Sequence, residues 1–173
     1  MAGRSVDEEV LHVALADEAA TLRCGAAAAP HVHPGDVLLL VGDLGLGKTT
    51  WMRGLASGLS VDPAEIRSPT FALVMEHTRS DGGGILLHAD LYRAGSDEVA
   101  QLGLLDVIGA SDVVAAIEWP GPLATQLRGL PVWTLHWHVG RAGADRVVAI
   151  RPPPGRSAAL AAALQSMLRA AVG

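Results

Sequence analysis

Gly42-Asp43-Leu44-Gly45-Leu46-Gly47-Lys48-Thr49 satisfies every defined position of the G-x-x-x-x-G-K-[ST] phosphate-binding loop. Lys48 is the only lysine among the chain's 13 basic side chains. Glycines at these intervals let successive backbone N–H groups turn inward around phosphate oxygens. The lysine adds a compact charge on a long stem that reaches the outer phosphates. The Thr49 hydroxyl is a ready ligand for Mg²⁺. The chemistry expected is nucleotide binding, with Asp43, Leu44, Gly45, Leu46, Gly47, Lys48, Thr49 and Thr50 on the phosphate side.

Two apolar runs end in an acid, Ile85-Leu86-Leu87-His88-Ala89-Asp90 and Val113-Val114-Ala115-Ala116-Ile117-Glu118. In open α/β sheets the ligand lies beyond the carboxyl ends of the strands, where a phosphate loop also opens. Asp90 or Glu118 there can hold Mg²⁺, directly or through water, opposite Thr49. Ser68-Pro69-Thr70-Phe71 precedes another strand-like run. Its proline stiffens the turn and presents the Thr70 hydroxyl as a switch loop would. Trp119, directly after Glu118, is placed at a site mouth. His31 and His33, and His136 and His138, alternate as metal ligands can, but no further ligands complete either pair.

These residues need a frame. Val37–Val41 reads as a buried strand before the loop and Thr50–Leu59 as a helix after it, the setting the motif requires. Val10–Leu15, Phe71–His77, Ile85–His88, Val113–Ile117, Pro131–Val139 and Arg146–Arg151 read as further strands. Asp17–Ala29 and Ser96–Leu105 read as helices, with Ser96 a candidate N-cap. A last helix follows from Ser157, with Leu160, Leu164, Met167 and Leu168 along one stripe. Trp133, Leu135, Trp137 and Val139 share one strand face, and Trp133 and Trp137 are expected in the core. The result is a single α/β domain over residues 1–173 with a mixed central sheet and helices on both faces. Its core spans about 10–151 and its C-terminal helix about 157–171.

Composition narrows the function. A formal charge of −5 makes the chain a poor stand-alone binder of nucleic acid, because non-specific affinity comes from neutralising phosphates. Cys24 is the one cysteine, expected to be a small buried residue. Asp7-Glu8-Glu9 stands where a secretion signal needs basic residues, and no apolar run is long enough to span a bilayer. A cytoplasmic protein is expected.

With these residues in hand, the sequence resembles the TsaE (YjeE) family of bacterial P-loop ATPases. The resemblance rests on Asp17-Glu18-x-x-Thr21-x-x-x-Gly25, the phosphate loop through Thr50, Ser68-Pro69-Thr70-Phe71, His88-x-Asp90-Leu91-Tyr92-Arg93 and Ile117-Glu118-Trp119-Pro120, in order from about Val10 to Arg151. It implies ATP hydrolysis in support of threonylcarbamoyladenosine formation on tRNA, next to the anticodon, with TsaD and TsaB as partners and tRNA met through their complex. Carried over, Lys48 and the loop amides hold the phosphates, and Thr49 and Glu118 ligate Mg²⁺. Thr70 and Asp90 join the switch and catalytic constellation. Glu18 and Thr21 lie near adenine or ribose, Arg146 is a further candidate for nucleotide contact, and Trp119 shapes the loop after the metal acid. Gly121 departs from the family, where an acid often follows Glu-Trp-Pro. Ala19 and Ala20 thin the polar N-terminal motif.

Three other readings have a foothold. A small-molecule kinase would use the same loop, but no arginine-rich lid segment is found. Asp106-Val107-Ile108-Gly109 fits the D-x-x-G of GTPases, yet no N-K-x-D exists. A nucleotide-gated assembly factor would bind ATP chiefly to change its affinity for partners.

Overall fold

In the computed structural model, residues 10–67, 73–121, 123, 126–140 and 145–170 are described. The strands are β1 (Leu11–Leu15), β2 (Val37–Val41), β3 (Val74–Thr78), β4 (Ile85–Asp90), β5 (Val113–Glu118), β6 (Val132–Val139) and β7 (Arg146–Arg151). The helices are α1 (Glu18–Ala28), α2 (Lys48–Gly58), α3 (Ser96–Gln101), α4 (Leu104–Val107) and α5 (Ser157–Ala170). The strands form one seven-stranded sheet in the order β1-β7-β6-β2-β5-β4-β3. The centre, β4-β5-β2-β6, is parallel; β3, β7 and β1 add antiparallel edges.

Aliphatic runs without alternation suit strands covered on both sides, and β2 and β5 are such runs, buried on both faces. Leu38, Leu40, Leu86, Val114 and Ala116 face one core, shared with α1, α2 and α5. Val37, Leu39, Leu87, Ala115 and Ile117 face the other, shared with residues of α3 and α4. Helices thus cover both faces, as expected. The same parity puts His88, Asp90 and Glu118 on the α2 side.

Helices α1 and α2 pack through small residues. A Cβ on Gly54 would overlap the Leu22 carbonyl, and one on Gly25 would overlap that of Trp51 and lie 2.8 Å from Leu55 N. Close approach of the two backbones brings α1 against the loop ahead of α2. Asp17 caps α1 by accepting from Ala20 N at 2.6 Å.

Several expectations shift. The helix after the phosphate loop begins at Lys48 rather than Thr50. The Ser96–Leu105 helix is two short helices, broken where Gly103 adopts φ +62°, and the residue that caps the first is Gly95, not Ser96. The last helix accepts its first hydrogen bond at Arg156 O, from Leu160 N, so Ser157 lies within it. Leu168 and Val139 are exposed although they continue buried stripes. Trp133 and Trp137 are core residues, and so is Cys24, whose thiol is pushed up to about 12 chiefly by burial. No helix among the described residues is long and apolar enough to cross a membrane.

Candidate functional site

The central strand β2 ends at Val41, and the chain turns through the phosphate loop into α2. Gly47 precedes the helix with φ +100°, a left-handed value that favours glycine. Gly42 passes so close to β6 that a Cβ would sit 2.9 Å from both Cβ and O of Trp137. The loop therefore needs small residues at two points, one for its turn and one for its packing. It aims the free N–H groups of the first turn of α2, and the positive end of the helix dipole, into the space above the sheet.

That space is a cleft of about 290 Å³ lined by Leu44, Gly45, Gly47, Lys48, Thr49, Thr50, Asp90 and Glu118. In the parallel register of β4 and β5, Asp90 lies directly opposite Glu118. The Thr49 hydroxyl donates to Glu118 Oε1 at 3.0 Å. Asp90 Oδ1 accepts from Tyr92 N at 3.0 Å, a local turn that holds the carboxylate at the strand end. A hydroxyl and two carboxylates are hard oxygen donors of the kind Mg²⁺ takes, and phosphate oxygens would complete such a set. The residues present fit that ion.

Lys48 is only 4% exposed. Its ammonium donates to Gly42 O at 2.7 Å and Asp43 O at 3.0 Å, and lies 4.4 Å from the centroid of the Trp119 ring. Burial lowers its pKa from the ordinary value, against the opposing charges of Glu118, Asp90 and Asp43. Trp119 takes a left-handed φ of +57°, uncommon for a bulky residue. Its amide donates to Leu40 O, and its ring tilts against Tyr92 at 4.7 Å. The strained turn brings the indole over the lysine, while Trp119 lines a neighbouring pocket with Tyr92 and Pro120 rather than the cleft itself.

Other expected site residues are placed less directly. Thr21 is buried beside the loop: a Cβ on Gly47 would lie 3.4 Å from its Cγ2. Its hydroxyl donates to Asp17 O. Glu18 is exposed at the start of α1 and does not line the cleft. Arg146 starts β7, paired with Leu15 and Val139, and also stands off the cleft lining. Thr70 lies outside the described residues. Asp106 and Val107 end α4, and Gly109 O is 3.9 Å from a Cβ on Gly35, ahead of β2. The D-x-x-G motif is thus at the end of the sheet away from the phosphate loop. No group of three or more His, Cys, Asp or Glu side chains that could hold a metal is found among the described residues.

One residue of the site was given no role from sequence, although it heads the His88-x-Asp90 run. His88 is 0% exposed, and its Nε2 lies 3.2 Å from Glu118 Oε1. The available signal was its spacing: two residues before Asp90 on one strand, it faces the same way.

A mixed α/β sheet, with a phosphate loop on its central strand and an acid at the end of the neighbouring one, defines a P-loop NTPase-like protein. The sequence model of the family described as threonylcarbamoyl adenosine biosynthesis protein TsaE matches residues 15–146, and the chain belongs to that family. It is 41% identical over 117 residues to the tRNA threonylcarbamoyladenosine biosynthesis protein TsaE of Bacillus subtilis, covering 68% of this chain and 69% of the relative. The protein of the same description from a Nostoc species is 40% identical over 118 residues, covering 65% and 69%. The crystal structure of Bacillus subtilis YdiB superposes with a TM-score of 0.68 at 26% identity, over 91% of this chain and 95% of that one.

Proposed function

We propose that this chain is a Mg²⁺-dependent ATPase that supports threonylcarbamoyladenosine modification of tRNA, next to the anticodon, in the cytoplasm and together with TsaD and TsaB. The observation that carries the reading is the 3.0 Å contact between Thr49 Oγ1 and Glu118 Oε1, across 69 positions of sequence, inside the cleft that the phosphate loop opens. Family membership supplies the biological setting.

The residues divide the work by position. Loop amides and the first turn of α2 bind phosphate oxygens. Lys48 exchanges the Gly42 and Asp43 carbonyls for those oxygens, and phosphate charge restores the stabilisation that burial takes from its ammonium. Thr49 and Glu118 would hold Mg²⁺, with Asp90 close by. The ion, when bound, neutralises charge on the outer phosphates. Asp90 orients a water for attack on the γ-phosphorus; the bond from that phosphorus to the β–γ bridging oxygen breaks, and ADP and phosphate leave. Trp119 shields the lysine side from solvent. Catalysis of this type rests on positioning and electrostatics.

No arginine is among the described residues that line the cleft. Hydrolysis is therefore slow alone and faster with partners that add positive charge. The acidic chain meets tRNA through the TsaD–TsaB complex. The test is phosphate release from ATP without any acceptor, with and without TsaD and TsaB. A rise of about tenfold or more with the partners is expected. Equal turnover in both would refute partner stimulation, and phosphate that leaves ATP only when an acceptor is added would make the protein a kinase.

A further inference from the structure

We propose that His88 is the positioning residue for Glu118: a buried imidazole whose Nε2 fixes the carboxylate toward Thr49 in the cleft. The inference rests on the Mg²⁺-ATP reading above and deepens it by naming what aims the acid.

His88 lies opposite Ala116 in the β4–β5 register, so Glu118 is its diagonal neighbour on the same face. Both side chains are buried, and Nε2 is 3.2 Å from Glu118 Oε1. The same oxygen accepts from Thr49 Oγ1 at 3.0 Å. Nδ1 is buried with no hydrogen-bond partner among the described residues. These facts select one tautomer. With the proton on Nε2, the ring donates to the carboxylate and leaves only a lone pair unmatched at Nδ1. With the proton on Nδ1, two sets of lone pairs would face each other and a buried N–H donor would be orphaned, the costlier arrangement.

A donor on Oε1 that does not belong to Thr49 has a specific use. When the threonine hydroxyl turns its lone pair toward a cation, it stops donating to Glu118. His88 stays, and the carboxylate keeps its rotamer. Metal-binding groups held by such outer hydrogen bonds lose affinity when the support is removed. Packing alone does not explain the residue: an aliphatic side chain would fill the position without an unmatched buried nitrogen.

The test compares wild type, His88→Leu and His88→Gln by calorimetric titration with ATP, in excess Mg²⁺ and in EDTA, alongside thermal unfolding. Removing the imidazole should leave affinity in EDTA near wild type and cut the Mg²⁺-dependent gain about 10- to 100-fold. His88→Gln, whose amide N–H can reach the carboxylate, should recover most of that gain. Unchanged Mg²⁺ gain in His88→Leu, or an equal loss in Mg²⁺ and EDTA, would overturn the proposal and make His88 a packing residue. Should His88→Leu not fold, ¹⁵N imidazole spectra of the nucleotide-free wild type decide: a ring with a proton on Nε2 supports the assignment, and a ring protonated on Nδ1 alone overturns it. A wild type whose ATP affinity ignores Mg²⁺ would instead defeat the underlying reading, a result the spectra do not mimic.

Discussion

The sheet buries a carboxylate at each end, and the two are treated differently. Asp36, 0% exposed just ahead of β2, accepts through Oδ2 from Arg156, from Trp133 Nε1 at 3.0 Å and from His33 N at 2.9 Å. Its charge is matched within the chain by a full cation, and the network ties α5 to the sheet. Glu118, 3% exposed at the end of β5, accepts from the uncharged Thr49 and lies beside His88, while the nearby Lys48 donates to loop carbonyls instead. A buried acid joined to its own cation has little to offer a ligand. One left facing a cleft, with its cation turned elsewhere, keeps charge for something still to arrive. The first end of the sheet builds the molecule, and the second leaves a place in it.

Substitutions should separate the two ends. Lys48→Ala removes the ammonium proposed to bind the phosphates, so ATP affinity should fall about 100-fold or more by calorimetry, while thermal stability stays within a few degrees of wild type. Asp36→Asn should do the reverse. The Arg156 guanidinium loses its counter-charge, stability drops by about 3 kcal/mol, the melting temperature falls by about 6–12 °C, and ATP affinity holds. An Asp36→Asn protein as deficient in ATP binding as Lys48→Ala would erase the distinction.

Gly54→Ala sharpens it from between. The added methyl meets the Leu22 carbonyl, so α1 and α2 must move apart, and Thr21 moves away from Gly47. Stability should fall by about 2 kcal/mol, and ATP affinity should fall with it; loss of one without the other would show that the helix pair does not hold the loop. The smallest effect concerns Cys24, fully buried in the core that α1 and α2 share. Its folded pKa of about 12, against an unfolded 9.0, means the folded state keeps a proton that the unfolded chain releases. Stability should therefore decline as pH rises above 9.0, and Cys24→Ala should flatten that decline in denaturant titrations. In the native protein the thiol should react with thiol reagents only as fast as the core opens.

Much of the frame was legible before any coordinates. The bounds of β2 and β7 were those read from apolar runs, and both acid-ended strands fall where expected, because burial on two faces leaves an unmistakable composition. The break at Gly103 was not, since a lone glycine is compatible with a continuing helical pattern until its backbone turns left-handed. Val139 and Leu168 show a related limit: periodicity says which way a side chain points but not whether anything lies over it. Past His136, β6 extends beyond the residues that pair with β2.

By itself the sequence determined the phosphate loop, the strands and helix around it, the acids that end two of those strands and the family to which they belong, because each is written in neighbouring residues. The tertiary structure alone decided that the Thr49 hydroxyl donates directly to Glu118, that Trp119 turns left-handed over Lys48, that His88 reaches Glu118, and that Arg156 finds Asp36 across 120 positions. Those outcomes depend on strand order and register, which join residues remote in the chain and leave no trace in local periodicity.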